Sequence, residues 1–148
     1  MKQWYKTRKK DPFYIKAKKN DIISRAYYKL EEIDKKHNLF KNDKNILDVG
    51  CSPGGWTQYI LKKTPKNKIV GIDILPTAEQ IEGEFKFYMM DLNQYQLIDD
   101  LFKINEYTFD TIISDIAPNT SGNQFLDQTN SYDLSMLSAK FIEKYLNK

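Results

Sequence analysis

Three of the chain's six glycines crowd into one stretch, Gly50-Cys51-Ser52-Pro53-Gly54-Gly55. An apolar run, Ile46-Leu47-Asp48-Val49, precedes it and Trp56 follows, so it reads as strand, tight turn and helix start. A backbone without side chains can press its N–H groups against a ligand, and the helix N-terminus favours an anionic group there. Three more apolar segments run into a carboxylate. Asp73 closes residues 68–72, Asp91 follows residues 85–90, and Asp115 follows residues 109–114. An acid about twenty residues beyond such a turn commonly accepts hydrogen bonds from ribose hydroxyls. Any one of these acids could equally be a helix cap or a loop acid. Three of them, each at a strand end beside one glycine turn, ask for a ligand.

The turn narrows what that ligand is. A P-loop requires Gly-Lys-Ser/Thr, yet Gly55 is followed by Trp56 and Thr57. A dinucleotide turn requires G-x-G-x-x-G, and here the second glycine is displaced. Acids at the strand ends would also repel phosphates. A ligand with ribose and adenine but no phosphate suits the site better. S-adenosylmethionine is such a ligand, with a carboxylate for the helix N-terminus and cations for the acids. Cys51 reads as a small packing residue, not a nucleophile. One histidine and one cysteine argue against a zinc site, and no metal is expected.

The elements that hold these residues follow from periodicity. Ile23, Ala26, Tyr27, Leu30 and Ile33 recur at helical spacing, with Asp21 placed to cap the helix. Lys29 lies at the border of that apolar face; such a lysine is ordinarily solvated. Residues 45–50 predict a first strand, buried on both faces. Trp56, Tyr59 and Ile60 predict a helix that Thr64-Pro65 ends. Strands are expected at 68–73, 85–89 and 109–113, and helices at 95–103 and roughly 131–146. Strands alternating with helices predict an α/β fold with a parallel, doubly wound sheet.

Composition sets the frame. At 148 residues the chain suits one domain, and 41% hydrophobic with 29% charged residues is ordinary for a globular protein. No apolar run approaches the roughly 20 residues of a membrane helix, and no signal peptide is evident. The expected place is the cytoplasm. The net charge of +3 conceals a division: residues 1–20 carry eight Lys/Arg and one acid, so +7 sits there and −4 on the rest. Trp4, Tyr5, Phe13 and Tyr14 interleave with those charges. Basic residues with stacking groups suit RNA, whereas a charge run by itself is often only a solvated tail.

Five motifs then make the chain resemble the FtsJ/RrmJ family of RNA ribose 2′-O-methyltransferases. They are residues 11–19 (Asp-Pro-Phe-Tyr-Ile-Lys-Ala-Lys-Lys), 24–30 (Ser-Arg-Ala-Tyr-Tyr-Lys-Leu), 47–56 (Leu-Asp-Val-Gly-Cys-Ser-Pro-Gly-Gly-Trp), 71–76 (Gly-Ile-Asp-Ile-Leu-Pro) and 114–122 (Ser-Asp-Ile-Ala-Pro-Asn-Thr-Ser-Gly). Their order and spacing are the family's across nearly the whole chain. The resemblance implies a Rossmann-like class I S-adenosylmethionine-dependent methyltransferase fold, three αβα layers about a parallel sheet. It implies that residues 1–20 form a basic RNA-binding arm and residues 21–148 the donor-binding domain. Gly54 and Trp56 would bind the methionine end of S-adenosylmethionine, Asp73 the ribose hydroxyls, Asp91 the adenine side, and Asp115 would stand beside the reactive methyl. Lys29 would be the first lysine of the family's catalytic Lys-Asp-Lys-Glu set. The implied reaction is 2′-O-methylation of RNA, with a uridine of large-subunit (23S-type) ribosomal RNA as target, in the RNA itself or in the large subunit. A tRNA target is an alternative. No membrane partner is implied, and the full-length protein would be a monomer.

Two features depart from the family. Ile23 stands where an arginine is common. The family's second lysine, thought to be the base, lies on a strand after the last helix, and its glutamate comes later still. Neither has a counterpart by motif here; Lys140, Lys144 and Lys148 lie on or just past that helix. The expectation is a C-terminally truncated sheet, with a non-catalytic donor- or RNA-binding module as the alternative to an active enzyme.

Overall fold

The structure is a computed structural model that describes residues 11–42, 44–116 and 121–148. Residues 1–10 of the basic arm and residues 117–120 of the fifth motif lie outside the described residues.

Four strands form one sheet: β1 (Asn45–Val49), β2 (Lys68–Asp73), β3 (Glu84–Met89) and β4 (Thr111–Ser114). All pair in parallel in the order β3-β2-β1-β4. Alternation along the strands divides the core. Ile46 and Ile69 face α2 (Ala26–His37) and α3 (Gly55–Lys63), where they meet Leu30, Tyr59 and Ile60. Leu47, Val49, Val70 and Ile72 face α4 (Tyr95–Ile104) and α5 (Gln124–Tyr145), where they meet Ile98, Phe102, Phe141 and Tyr145. Phe102 is fully buried and packs against Phe109, Phe141 and Tyr145 at centroid distances of 5.4, 5.8 and 5.0 Å. Helices therefore cover both faces of a parallel sheet, as near-continuous apolar strands require. This is the expected three-layer α/β architecture. Among the described residues, one isolated bridge, Phe109 to Leu146, lies just before β4.

Three expectations need correction. The helix expected from Asp21 begins at Ala26, and Asp21 takes a positive φ of 55° instead of capping. The cause lies in α3: Gln58 Oε1 accepts from Ile23 N (3.0 Å) while its amide donates to Asp21 O (3.1 Å), which holds residues 21–23 off the helical path. The last helix begins at Gln124, not near 131, because Asn123 caps it, accepting from Phe125 N and Leu126 N at 3.1 and 3.3 Å. The fourth strand starts at Thr111; Phe109 is held instead by Tyr145 O and Asn147 N.

One further helix, α1 (Pro12–Lys19), precedes these and shows no clear apolar periodicity. Its local cause is plain in the sequence. Asp11 caps it through Phe13 N (2.9 Å) and Tyr14 N (3.4 Å), and Pro12 occupies the first helical position.

Candidate active site

Register decides where the acids go. Val49 pairs with Ile72, one residue before Asp73, and with Ser114, one residue before Asp115. Asp73 pairs with Met89, two residues before Asp91. The glycine turn and all three acids thus lie along one edge, at the C-terminal ends of four strands that span roughly 14 Å. The chain leaves β1 toward β2 on one side, and β4 pairs on the other. That makes β1 the switch point, where open α/β sheets bind ligands.

The turn is shaped by close approach. Gly50 has φ +77°, and a Cβ there would stand 3.0 Å from Ile116 Cβ. A Cβ on Gly54 (φ +117°) would meet Ile81 at 2.4 Å, and one on Gly55 would meet Ser24 Oγ at 2.2 Å. Asp73 ties this turn to the loop after β2. Its Oδ2 accepts from Ser52 N at 2.9 Å and its Oδ1 from Leu75 N at 3.0 Å. Each oxygen keeps capacity for another donor. Asp91 accepts from Asn93 N at 2.9 Å and is otherwise exposed.

A cavity of about 390 Å³ runs along this edge. Asp73, Asp91 and Asp115 border it, with Gly50 and Ser52 at the turn and Ile74, Leu92, Ile116 and Leu134 as apolar walls. A smaller cavity of about 60 Å³ adjoins it through Gly50, Ser52 and Asp115, and is bordered by Ser24, Asp48 and Trp56. Among the described residues, the only buried side-chain polar atoms without a hydrogen-bond partner are Ser24 Oγ and Trp56 Nε1. Both belong to residues around this smaller cavity. Buried donors seldom stay unpaired, so this pair suits an acceptor arriving from outside.

Lys29 is not the solvated border residue its spacing alone suggests. Its Nζ lies 2.7 Å from Asp115 Oδ1 and 5.7 Å from the centre of the Trp56 ring. The two charged side chains remain 58% and 40% exposed, so a polymer could reach them from solvent. Lys140 and Lys144 point elsewhere: Lys140 Nζ lies over the Tyr95 ring at 5.6 Å, and Lys144 Nζ pairs with Asp99 at 2.6 Å. Cys51 is buried, and burial pushes its thiol far above the usual range, which suits a packing residue.

Sequence reasoning passed over Asp48. It is buried within β1 on the α3 side, and its Oδ2 accepts from Thr57 Oγ1 at 2.8 Å. Burial, opposed by that hydrogen bond and reinforced by Asp73 and Asp115, pushes its carboxyl up to about 7. The available signal was an acid inside an otherwise apolar strand. Ile74, Ile116 and Leu134 were also missed, because they come from two loops and a distant helix.

Comparison with known proteins bears on this site. A family model described as FtsJ-like methyltransferase matches residues 22–148. A ribosomal RNA large subunit methyltransferase E from Buchnera aphidicola is 33% identical over 148 residues, covering 99% of this chain and 70% of that protein. The protein of that name from Francisella tularensis is 37% identical, covering 99% of this chain and 71% of its own length. Among solved structures, a ribosomal RNA methyltransferase from Plasmodium falciparum superposes with a TM-score of 0.74 at 36% identity, over 84% of this chain and 72% of that one. A match of this extent, on a chain whose glycine turn and strand-end acids share one sheet edge, means that the chain belongs to the FtsJ-like methyltransferase family.

Proposed function

We propose that the chain binds S-adenosylmethionine along the strand edge and serves 2′-O-ribose methylation of large-subunit ribosomal RNA, with a uridine as target. One observation carries this reading: Asp115 borders both the donor cavity and the smaller one and holds Lys29 in a pair that is open to solvent. The relatives' names support the ribosomal substrate. The residues present fit the donor. A cavity at the low end of ligand-pocket sizes, bordered by acids, suits its ribose and adenine, and the unpaired buried donors around the adjoining smaller cavity suit its methionyl carboxylate.

In this reading Asp73 accepts from the ribose hydroxyls and Asp91 from the adenine amine, while Ile74, Leu92 and Leu134 pack on the base. Gly54 and Trp56 hold the methionine end. When bound, S-adenosylmethionine supplies a methyl group activated by a sulfonium. The chain's own residues supply orientation. The Lys29 ammonium donates to the incoming hydroxyl oxygen, the Asp115 carboxylate accepts its proton in a hydrogen bond, and together they line the hydroxyl up for in-line attack. The first twenty residues lend the positive charge that RNA phosphates require.

The test is transfer of tritium from methyl-labelled donor to large subunits lacking the modification. Label is expected in dinucleotides that resist alkali, because a 2′-O-methyl group removes the hydroxyl that alkaline cleavage uses. Label on a base would contradict the ribose assignment. A second reading, donor binding without turnover, is favoured by the engagement of Lys140 and Lys144 away from Asp115. Tight donor binding with no transferred label would select it.

A further inference from the structure

Arg25 stands one helical turn before Lys29, and residues four apart on a helix have Cβ atoms about 6 Å apart. Its backbone is already helical, and its side chain is 62% exposed. The two cations therefore share the opening turn of α2. Each is held by a carboxylate from a distant part of the chain: Lys29 by Asp115, and Arg25 by Asp11, with Nη1 and Oδ2 2.7 Å apart.

Asp11 divides its oxygens between two tasks. Oδ1 caps α1, and Oδ2 takes Arg25. The neighbouring guanidinium holds its carboxyl below the usual range. A second, inner fastening joins α1 to α2. The buried Tyr28 ring meets Phe13 at 6.0 Å and Lys16 Nζ at 4.6 Å. Without the ion pair, α1 and its Lys16, Lys18 and Lys19 would still be anchored through Tyr28.

We propose that Arg25 grips a backbone phosphate beside the target ribose, and that Asp11 occupies this grip in the free chain as a stand-in for that phosphate. The inference rests on the RNA reading above. A ribose 2′-hydroxyl presented to Lys29 and Asp115 carries its own nucleotide's phosphates a few bonds away, within reach of a side chain one turn along. A guanidinium matches a phosphate with two parallel hydrogen bonds. Among the described residues, Arg25 commits one nitrogen, to Asp11. Exposed ion pairs are weak, so a polyanion can displace a single carboxylate. RNA binding thus opens the Asp11–Arg25 pair while Tyr28 keeps the basic helix alongside.

The test is filter binding of transcribed large-subunit ribosomal RNA across a salt series. Asp11→Asn keeps a good helix cap and removes the competing charge. RNA affinity should rise about threefold. Arg25→Gln should lower affinity and flatten the slope of log K against log salt by roughly 0.7–0.9, one phosphate contact. Adding Asp11→Asn to Arg25→Gln should then change nothing further. Neither residue borders the donor cavities, so donor affinity should stay constant and report an intact fold. An equal gain from Asp11→Asn in both backgrounds, or an unaltered salt slope in Arg25→Gln, would overturn the proposal. So would RNA binding insensitive to both changes, leaving the RNA reading intact. No RNA binding by the unaltered chain would overturn both.

Discussion

Two sets of aspartates behave differently in this molecule. Asp34 on α2 and Asp99 on α4 are buried and saturated with hydrogen bonds. Asp34 takes Lys63 and Tyr59 as well as the backbone N–H groups of Leu39 and Phe40. Asp99 takes Lys103 at 2.7 Å, Lys144 at 2.6 Å and the Tyr145 hydroxyl. Lys103, Lys144 and Tyr145 hold the Asp99 carboxyl far below its ordinary range. For Asp34, burial pushes upward, but Lys63, Tyr59 and two N–H groups win. Asp73, Asp91 and Asp115 line the strand edge instead and face the cavity. Asp73 and Asp91 bind backbone N–H groups beside them, and Asp115 holds one exposed lysine. Residue type is the same in both sets. Unfilled acceptor capacity beside a cavity separates a binding acid from a structural staple.

The comparison breaks most visibly at Asp34. Asp34→Ala strands Tyr59, Lys63 and two N–H groups, and should cost about 3 kcal/mol in chemical denaturation. Donor affinity, measured well below the transition, should not change. If that variant lost donor binding while still folded, the division of roles would be wrong.

Asp48 tests the boundary between the sets, being buried like the first and bordering the smaller cavity, as Asp115 of the second does. Its carboxyl sits at about 7 in the folded chain, against 3.8 ordinarily. Below about pH 4 it is protonated in both states. Between about 4 and 7 only the folded chain keeps the proton, so stability falls as pH rises. Above about 7 it is ionised in both, and the fall stops. Asp48→Asn should remove this decline, which approaches a few kcal/mol, in melts run from pH 4 to pH 8. The sulfonium favours the ionised form, so donor affinity should rise through pH 7 in the parent and stay flat in the variant. Parallel pH profiles for the two proteins would contradict the assignment.

Asp91→Ala should weaken the donor about tenfold by calorimetry, at little cost in stability. The smallest effect is expected at Lys29→Met, with donor affinity within about twofold, because Lys29 serves the incoming hydroxyl and not the donor. A large loss of donor affinity there would move Lys29 into the donor site.

Much of this was legible in the chain itself. The apolar runs at 46–49 and 68–72 announce buried parallel strands that end at Gly50 and Asp73, and Asp91 and Asp115 follow the third and fourth strands. Parallel register does the rest, since it brings strand ends together whatever lies between them. What stayed hidden depends on long-range contact. Residues 124–130 bury no apolar face, and Phe125 is 75% exposed, so periodicity gave no helix there. Asp21 looked like a cap until Gln58, thirty-seven residues away, claimed its carbonyl. Leu134 borders the cavity from α5, the helix whose Phe141 packs on Phe102, and local pattern does not show which strand end a helix residue meets. A lysine at a helix border gains its purpose from Asp115, eighty-six residues on, which local pattern cannot show.

The most direct measurement is a calorimetric titration of S-adenosylmethionine into the unaltered chain, Asp73→Ala and Asp34→Ala side by side. The account predicts that Asp73→Ala loses at least about thirtyfold in affinity, while folded Asp34→Ala binds like the parent. Unchanged affinity in Asp73→Ala, or an equal loss in both variants, would contradict it.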